Sequence, residues 1–132
     1  RWYSDEFRNN PSNLSKINLA TEMIKKTSIE GYIGCCEAIK NLDYLKELST
    51  INKDILYISG ENDIGAPAMV MEEIHHLTPN SKYHCIPGAA HILNIEAPDL
   101  VNEIILNFYN FNLVEKRIDK NKVSKIFQKF KI

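Results

Sequence analysis

The sequence predicts an α/β fold with parallel strands and flanking helices, on three observations. The continuous apolar run Ile55, Leu56, Tyr57 and Ile58 stops at Ser59-Gly60, as a strand covered on both faces does. A second short strand is expected at residues 82–86, and Pro98 opens a further helix. The order strand, helix, strand, helix requires parallel pairing through a right-handed crossover.

The bulk properties exclude several classes. With 132 residues, 44% hydrophobic and 25% charged, and a net charge of -1, the chain has the composition of one globular domain, not of a disordered or nucleic-acid-binding one. No apolar run reaches the roughly 20 residues of a membrane span. The start Arg1-Trp2-Tyr3 has neither an initiator Met nor an apolar signal region, so a cytoplasmic protein whose chain begins partway through something longer is expected.

Residues 1–10 show no period, and Trp2, Tyr3 and Phe7 need a surface to cover. From Ser12, a candidate N-cap, Leu14, Ile17, Ala20 and Ile24 recur at helical spacing, with Lys25 and Lys26 where the dipole favours them. Ser28 caps a second helix, whose Ile29, Tyr32, Ile33, Cys36 and Ile39 form one stripe and whose Glu30 sits in the first turn. Asp43 is expected to cap a short turn through Leu45 and Leu48. Residues 1–50 therefore read as a helical lid remnant and the return to a core spanning 51–111.

Within that core, the strand from Ile55 leads into a loop, 60–67, and Pro67 suits the first turn of a helix carrying Met69, Val70, Ile74 and Leu77. Thr78-Pro79-Asn80-Ser81 is a turn. After the second strand comes Pro87-Gly88-Ala89-Ala90-His91, then a helix expected to face inward with Leu100, Val101, Ile104, Ile105 and Phe108. Seven of the last seventeen residues are Lys or Arg. With Val123, Ile126, Phe127 and Phe130 at helical spacing, residues 112–132 read as a basic amphipathic extension.

Cys35, Cys36 and Cys85 are odd in number, and two are adjacent. They are expected to be small buried hydrophobes, not a disulfide framework. No C-x-x-C or H-x-x-x-H pair suggests zinc. His75 and His76 are neighbours on a helix, about 100° apart, and cannot share one metal.

Asp63 and His91 carry the chemistry. Each falls just past the carboxyl end of a strand, where ligands collect in open α/β sheets. Their separation is what one helix and one strand occupy, so the two loops can be neighbours. Taken singly, an Asp after a strand is commonly a turn former and a loop His commonly structural. Taken together, a carboxylate can fix the tautomer of an imidazole and stabilise the imidazolium, which makes the imidazole a competent base. Gly88, Ala89 and Ala90 leave the histidine loop free of bulk, so a nucleophile can approach.

The run ILYISGENDIGAP, with Gly60, Asp63 and Pro67 as G-x-x-D-x-x-x-P, resembles the acid loop of α/β-hydrolases, and PGAAHILNIEAP resembles their histidine loop. Acid before histidine is also their chain order, with the nucleophile earlier still. RWYSDEF followed by EGYIGCCEAIKNLDY is similar to the lid-to-core passage of 3-oxoadipate enol-lactonases. The resemblance covers roughly residues 1–110 and implies the C-terminal half of such an enzyme, hence a partial α/β-hydrolase fold. It implies Asp63 as the orienting acid and His91 as the general base for a serine and later a water. The substrate would be a carboxylate-bearing lactone, opened without metal or organic cofactor. Arg1 is the candidate cation for that carboxylate, and Trp2 could pack over the ring.

The nucleophile is not in the sequence: its serines, at 4, 12, 15, 28, 49, 59, 81 and 124, include none in G-x-S-x-G. Cys85, inside a strand, lacks the exposed turn a nucleophilic thiolate needs. A missing N-terminal half is therefore the expected partner. Two other readings fit the same residues: another esterase or carbon–carbon hydrolase, and a non-catalytic interaction module of this fold.

Overall fold

The computed structural model describes residues 2–117. Arg1 and the stripe from Val123 to Phe130 lie outside the described residues. In order come α1 (Asp5–Asn9), α2 (Leu14–Lys25), α3 (Ile29–Lys40), β1 (Ile55–Gly60), α4 (Ala68–Leu77), β2 (Ser81–Ile86), α5 (Leu93–Glu96) and α6 (Pro98–Arg117). Short 3-10 turns at Pro11–Asn13 and Leu48–Thr50 complete the described elements.

β1 and β2 pair in parallel, in register from Ile55 opposite Ser81 to Gly60 opposite Ile86. Joined through α4, they form the expected strand–helix–strand unit, and both strands end level. β1 runs two residues beyond the apolar stretch, because Ser59 and Gly60 are its buried end while 55–58 are only half-buried. Full cover on both faces, expected from the apolar run, is therefore not what the described residues supply.

Two apolar clusters hold this unit. Ile86, Ala89 and Val101 pack with Ile58, Leu93, Ala97 and Ile104, joining α6 to the strand ends. Tyr3, Phe7 and Ala20 pack with Ile17, Ile92 and Ile95, which gives two of the three N-terminal aromatics the surface they needed, while Trp2 stays exposed. Ser4 makes this possible by capping α1, its hydroxyl accepting from Phe7 N at 3.2 Å. A five-residue helix is too short to show a period, which is why residues 1–10 look featureless in sequence.

Ser28 caps α3 as expected, accepting from Gly31 N at 2.9 Å. Ser12 does not cap α2: Asn10-Pro11 starts a 3-10 turn in which the Asn10 side chain accepts from Ser12 N, and the cap position falls to Asn13. The turn expected from Asp43 is the 3-10 segment at Leu48–Thr50, with Glu47 at its cap position.

The clearest corrections concern burial. All three cysteines are exposed, as are Ile29, Tyr32, Ile33 and Ile39 on α3, at 54–73%. Met69, Val70 and Leu77 on α4, and Leu100 and Ile105 on α6, are also exposed, while Val101 turns inward. The helical periods are as read, but nothing among the described residues covers these faces. No helix among the described residues is long and apolar enough to cross a membrane.

Candidate active site

The acid loop and the histidine loop are stitched together by backbone. Glu61 N donates to Ile86 O at 3.0 Å and Asn62 N to Ala89 O at 2.9 Å. Side chains add two more bonds, from Asn62 Nδ2 to Gly88 O at 3.0 Å and from Gly88 N to Glu61 Oε2 at 2.9 Å. Gly60 permits this approach: a Cβ there would stand 2.3 Å from Ala90 O and 2.5 Å from Ala89 O, closer than any side chain can sit. Gly88 makes the opposing turn, at a φ of 71° that favours glycine.

This stitching brings Asp63 and His91 together. Asp63 Oδ2 lies 2.8 Å from His91 Nδ1. Its other oxygen, Oδ1, accepts from Gly65 N at 2.8 Å and Ala66 N at 3.0 Å. The Asp63 side chain is 6% exposed. Burial by itself raises its pKa, but the bonds from Ala66 N, His91 and Gly65 N outweigh burial and hold the carboxyl below its usual value. An ionised carboxylate only accepts, so Nδ1 carries the proton and a neutral ring presents its lone pair at Nε2.

The lowered pKa makes Asp63 one contributor to the loss of stability in acid. A carboxyl with a depressed folded-state pKa stabilises fully above its unfolded value and loses that contribution as pH falls through the folded one. Thermal melts between about pH 6 and pH 2 should therefore show the midpoint dropping below about pH 4, and the drop should be smaller in Asp63→Asn. Identical acid profiles would show that Asp63 has no depressed pKa.

His91 stands at the opposite extreme of exposure, with 49% of its side chain open. It lines an open cleft of about 330 Å³ with Trp2, Asp63, Ile64 and Gly65. Its backbone is anchored as well, since His91 N and Ile92 N both donate to Trp2 O, at 3.1 and 3.0 Å. Trp2 thus reaches the site as a wall of the cleft and as a backbone acceptor. Cys85 lies inside β2 opposite Ser59, before the histidine loop begins.

Sequence reasoning missed Glu61, Asn62 and Glu96. The first two sit between the strand end and Asp63, and their polar side chains were the available signal. Glu96 accepts from Ala90 N at 2.9 Å and from Ser4 N at 3.1 Å, a link across the chain that no local pattern announces. No group of three or more His, Cys, Asp or Glu fit to hold a metal occurs among the described residues.

Comparison with known proteins gives this geometry its relatives. Residues 9–98 match the family model of the alpha/beta hydrolase fold. Over 110 residues the chain is 28% identical to 3-oxoadipate enol-lactonase 2 of Acinetobacter baylyi, covering 80% of this chain and 38% of that protein. The crystal structure of the enol-lactonase from Burkholderia xenovorans LB400 superposes with a TM-score of 0.70 at 27% identity, over 83% of this chain and 41% of that one. A bromoperoxidase from Bacillus anthracis gives a TM-score of 0.62 at 30% identity, over 67% and 33%. The chain spans less than half the length of these relatives. The matched region takes in both paired strands and the loops that follow them, and the chain belongs to the alpha/beta hydrolase fold family.

Proposed function

We propose that this chain supplies the acid, Asp63, and the base, His91, of a Ser-His-Asp triad that opens 3-oxoadipate enol-lactone to 3-oxoadipate. One observation carries the reading: a buried carboxylate bonded at 2.8 Å to Nδ1 of a half-exposed imidazole, both just past the level ends of paired parallel strands. The similarity to two proteins named as enol-lactonases supports the substrate class. The serine comes from residues outside this sequence, which contains no G-x-S-x-G.

In this mechanism His91 Nε2 takes the serine proton as the oxygen attacks the lactone carbonyl, and Asp63 stabilises the imidazolium. The imidazolium then protonates the departing enolate oxygen as the ring opens to an acyl-enzyme. His91 next activates water, which releases the acid and restores the serine. These steps need no metal or organic cofactor. In this reading residues 1–50 are a helical lid remnant and the return to the core, and residues 51–111 are the C-terminal half of that core. Three free thiols fit a reducing, cytoplasmic setting.

Replacing Asp63 by Asn in the protein that carries the nucleophile should lower kcat on the enol-lactone by about 10⁴, because the amide favours the wrong tautomer. A loss of only a few-fold would reduce Asp63 to a turn former.

A second reading is hydrolysis of an uncharged ester, which the described lining of the cleft would also accept. Among the described residues that line the His91 cleft, Trp2, Asp63, Ile64 and Gly65 accompany the histidine and none is Lys or Arg. Arg8 belongs to the neighbouring cleft, where it is paired with Asp5. Parallel assays on the enol-lactone and a neutral short-chain ester separate the two.

A further inference from the structure

We propose that Glu96 is a positioning residue that clamps the histidine loop to the N-terminal segment and thereby holds the His91 ring in place; this rests on the reading of His91 as the base. Glu96 Oε2 accepts from Ala90 N, the residue immediately before His91, at 2.9 Å. Glu96 Oε1 accepts from Ser4 N at 3.1 Å, across 92 residues of sequence. Ala90 is 2% exposed and Ser4 8%, so both amides depend on the carboxylate for a partner, and removing it opens them to exchange with solvent.

The two bonds extend a strip already begun by backbone. Residues 2 and 91–92 are joined by the two bonds to Trp2 O, and Glu96 fastens the ends of the strip at residues 4 and 90. Only a carboxylate fits both positions. It offers two acceptor oxygens and no donor, whereas Gln turns an N–H toward one of the amides and Asp is one methylene short.

Glu96 does not line the His91 cleft, so it acts through the backbone of the loop and not on a substrate. His91 is thereby held at two points: its ring by Asp63, and the chain beside it by Glu96 and Trp2 O. Losing the Glu96 bonds slackens the chain at Ala90 and with it the hold on the ring, while the Asp63 carboxylate stays where Gly65 N and Ala66 N fix it.

The test is made on the ¹⁵N-labelled 132-residue chain with Glu96→Ala and the near-isosteric Glu96→Gln. Hydrogen exchange is read at every amide, together with the low-field Nδ1 proton of His91. In Glu96→Ala, exchange at Ala90 and Ser4 should rise about 10-fold or more while β1 and β2 amides keep their rates, and the Nδ1 signal should broaden away. Glu96→Gln should protect one of the two amides and release the other. Unchanged rates at Ala90 and Ser4, or a rise shared equally by β1 and β2, would overturn the clamp.

A second arm uses the protein that carries the nucleophile. There Glu96→Gln should lower kcat about 10- to 100-fold at unchanged KM and alter the pH profile, while Glu103→Gln on the exposed face of α6 leaves both alone. Wild-type kcat and pH profile in Glu96→Gln would also overturn the proposal. A wild-type protein inactive on lactones would count against the lactonase reading alone, because the exchange experiment decides the clamp by itself.

Discussion

Replacing His91 by Ala is expected to abolish lactone opening in the protein that carries the nucleophile, with kcat falling by at least about 10⁴. The fold should survive. The His91 side chain is half-exposed, and Asp63 keeps its bonds from Gly65 N and Ala66 N when the ring is gone. Water can take the place of Nδ1–H, so the loss of stability should stay within about 1 kcal/mol. Steady-state kinetics and a thermal melt on the same preparation decide the matter. Turnover near the wild-type level would remove His91 from the mechanism, whereas a collapsed melting curve would make it structural.

The second large effect falls on stability. Gly60→Ala puts a methyl group within 2.3 Å of Ala90 O and 2.5 Å of Ala89 O. Both obstacles are backbone, and neither can rotate away as a flexible side chain would. The histidine loop must lift from the end of β1, breaking the bond from Asn62 N to Ala89 O. A loss of about 3 kcal/mol or more is expected by urea denaturation, with the hydrogen bond between His91 and Asp63 breaking before the sheet unfolds. A loss under about 1 kcal/mol would mean the two loops are not held against each other as described.

The acid–histidine pair could be found in the sequence because its determinants are contiguous. A run of apolar residues marks the strand, polar and small residues mark the loop, and one helix separates the repeat of that pattern. Asp63 and His91 follow from that spacing, and Gly60, Gly88 and Pro67 from the turns. Glu96 and the carbonyl of Trp2 do not follow, because what makes them matter is a contact between the two ends of the chain.

Burial was hidden for a different reason. The periods at Ile29, Tyr32 and Ile33, or at Leu100 and Ile105, identify an apolar face without saying what covers it. In the described residues these faces remain open. The same reason exposes Cys35 and Cys36, which share α3 with that stripe.

The bonds that build the site divide by chain distance. Asp63 and His91 are 28 residues apart, and the loop-to-loop bonds of Glu61 and Asn62 to Gly88 span 27 and 26. The bond from Ser4 to Glu96 spans 92. Joining chain ends at the longer distance costs about 1 kcal/mol more in loop entropy. The acid–base couple is thus a local closure inside one strand–helix–strand unit, and the N-terminal clasp is a remote one added to it. Any stress that loosens the first four residues reaches His91 through the backbone of residues 90–92, while the loop bonds that hold Asp63 in place stay shut.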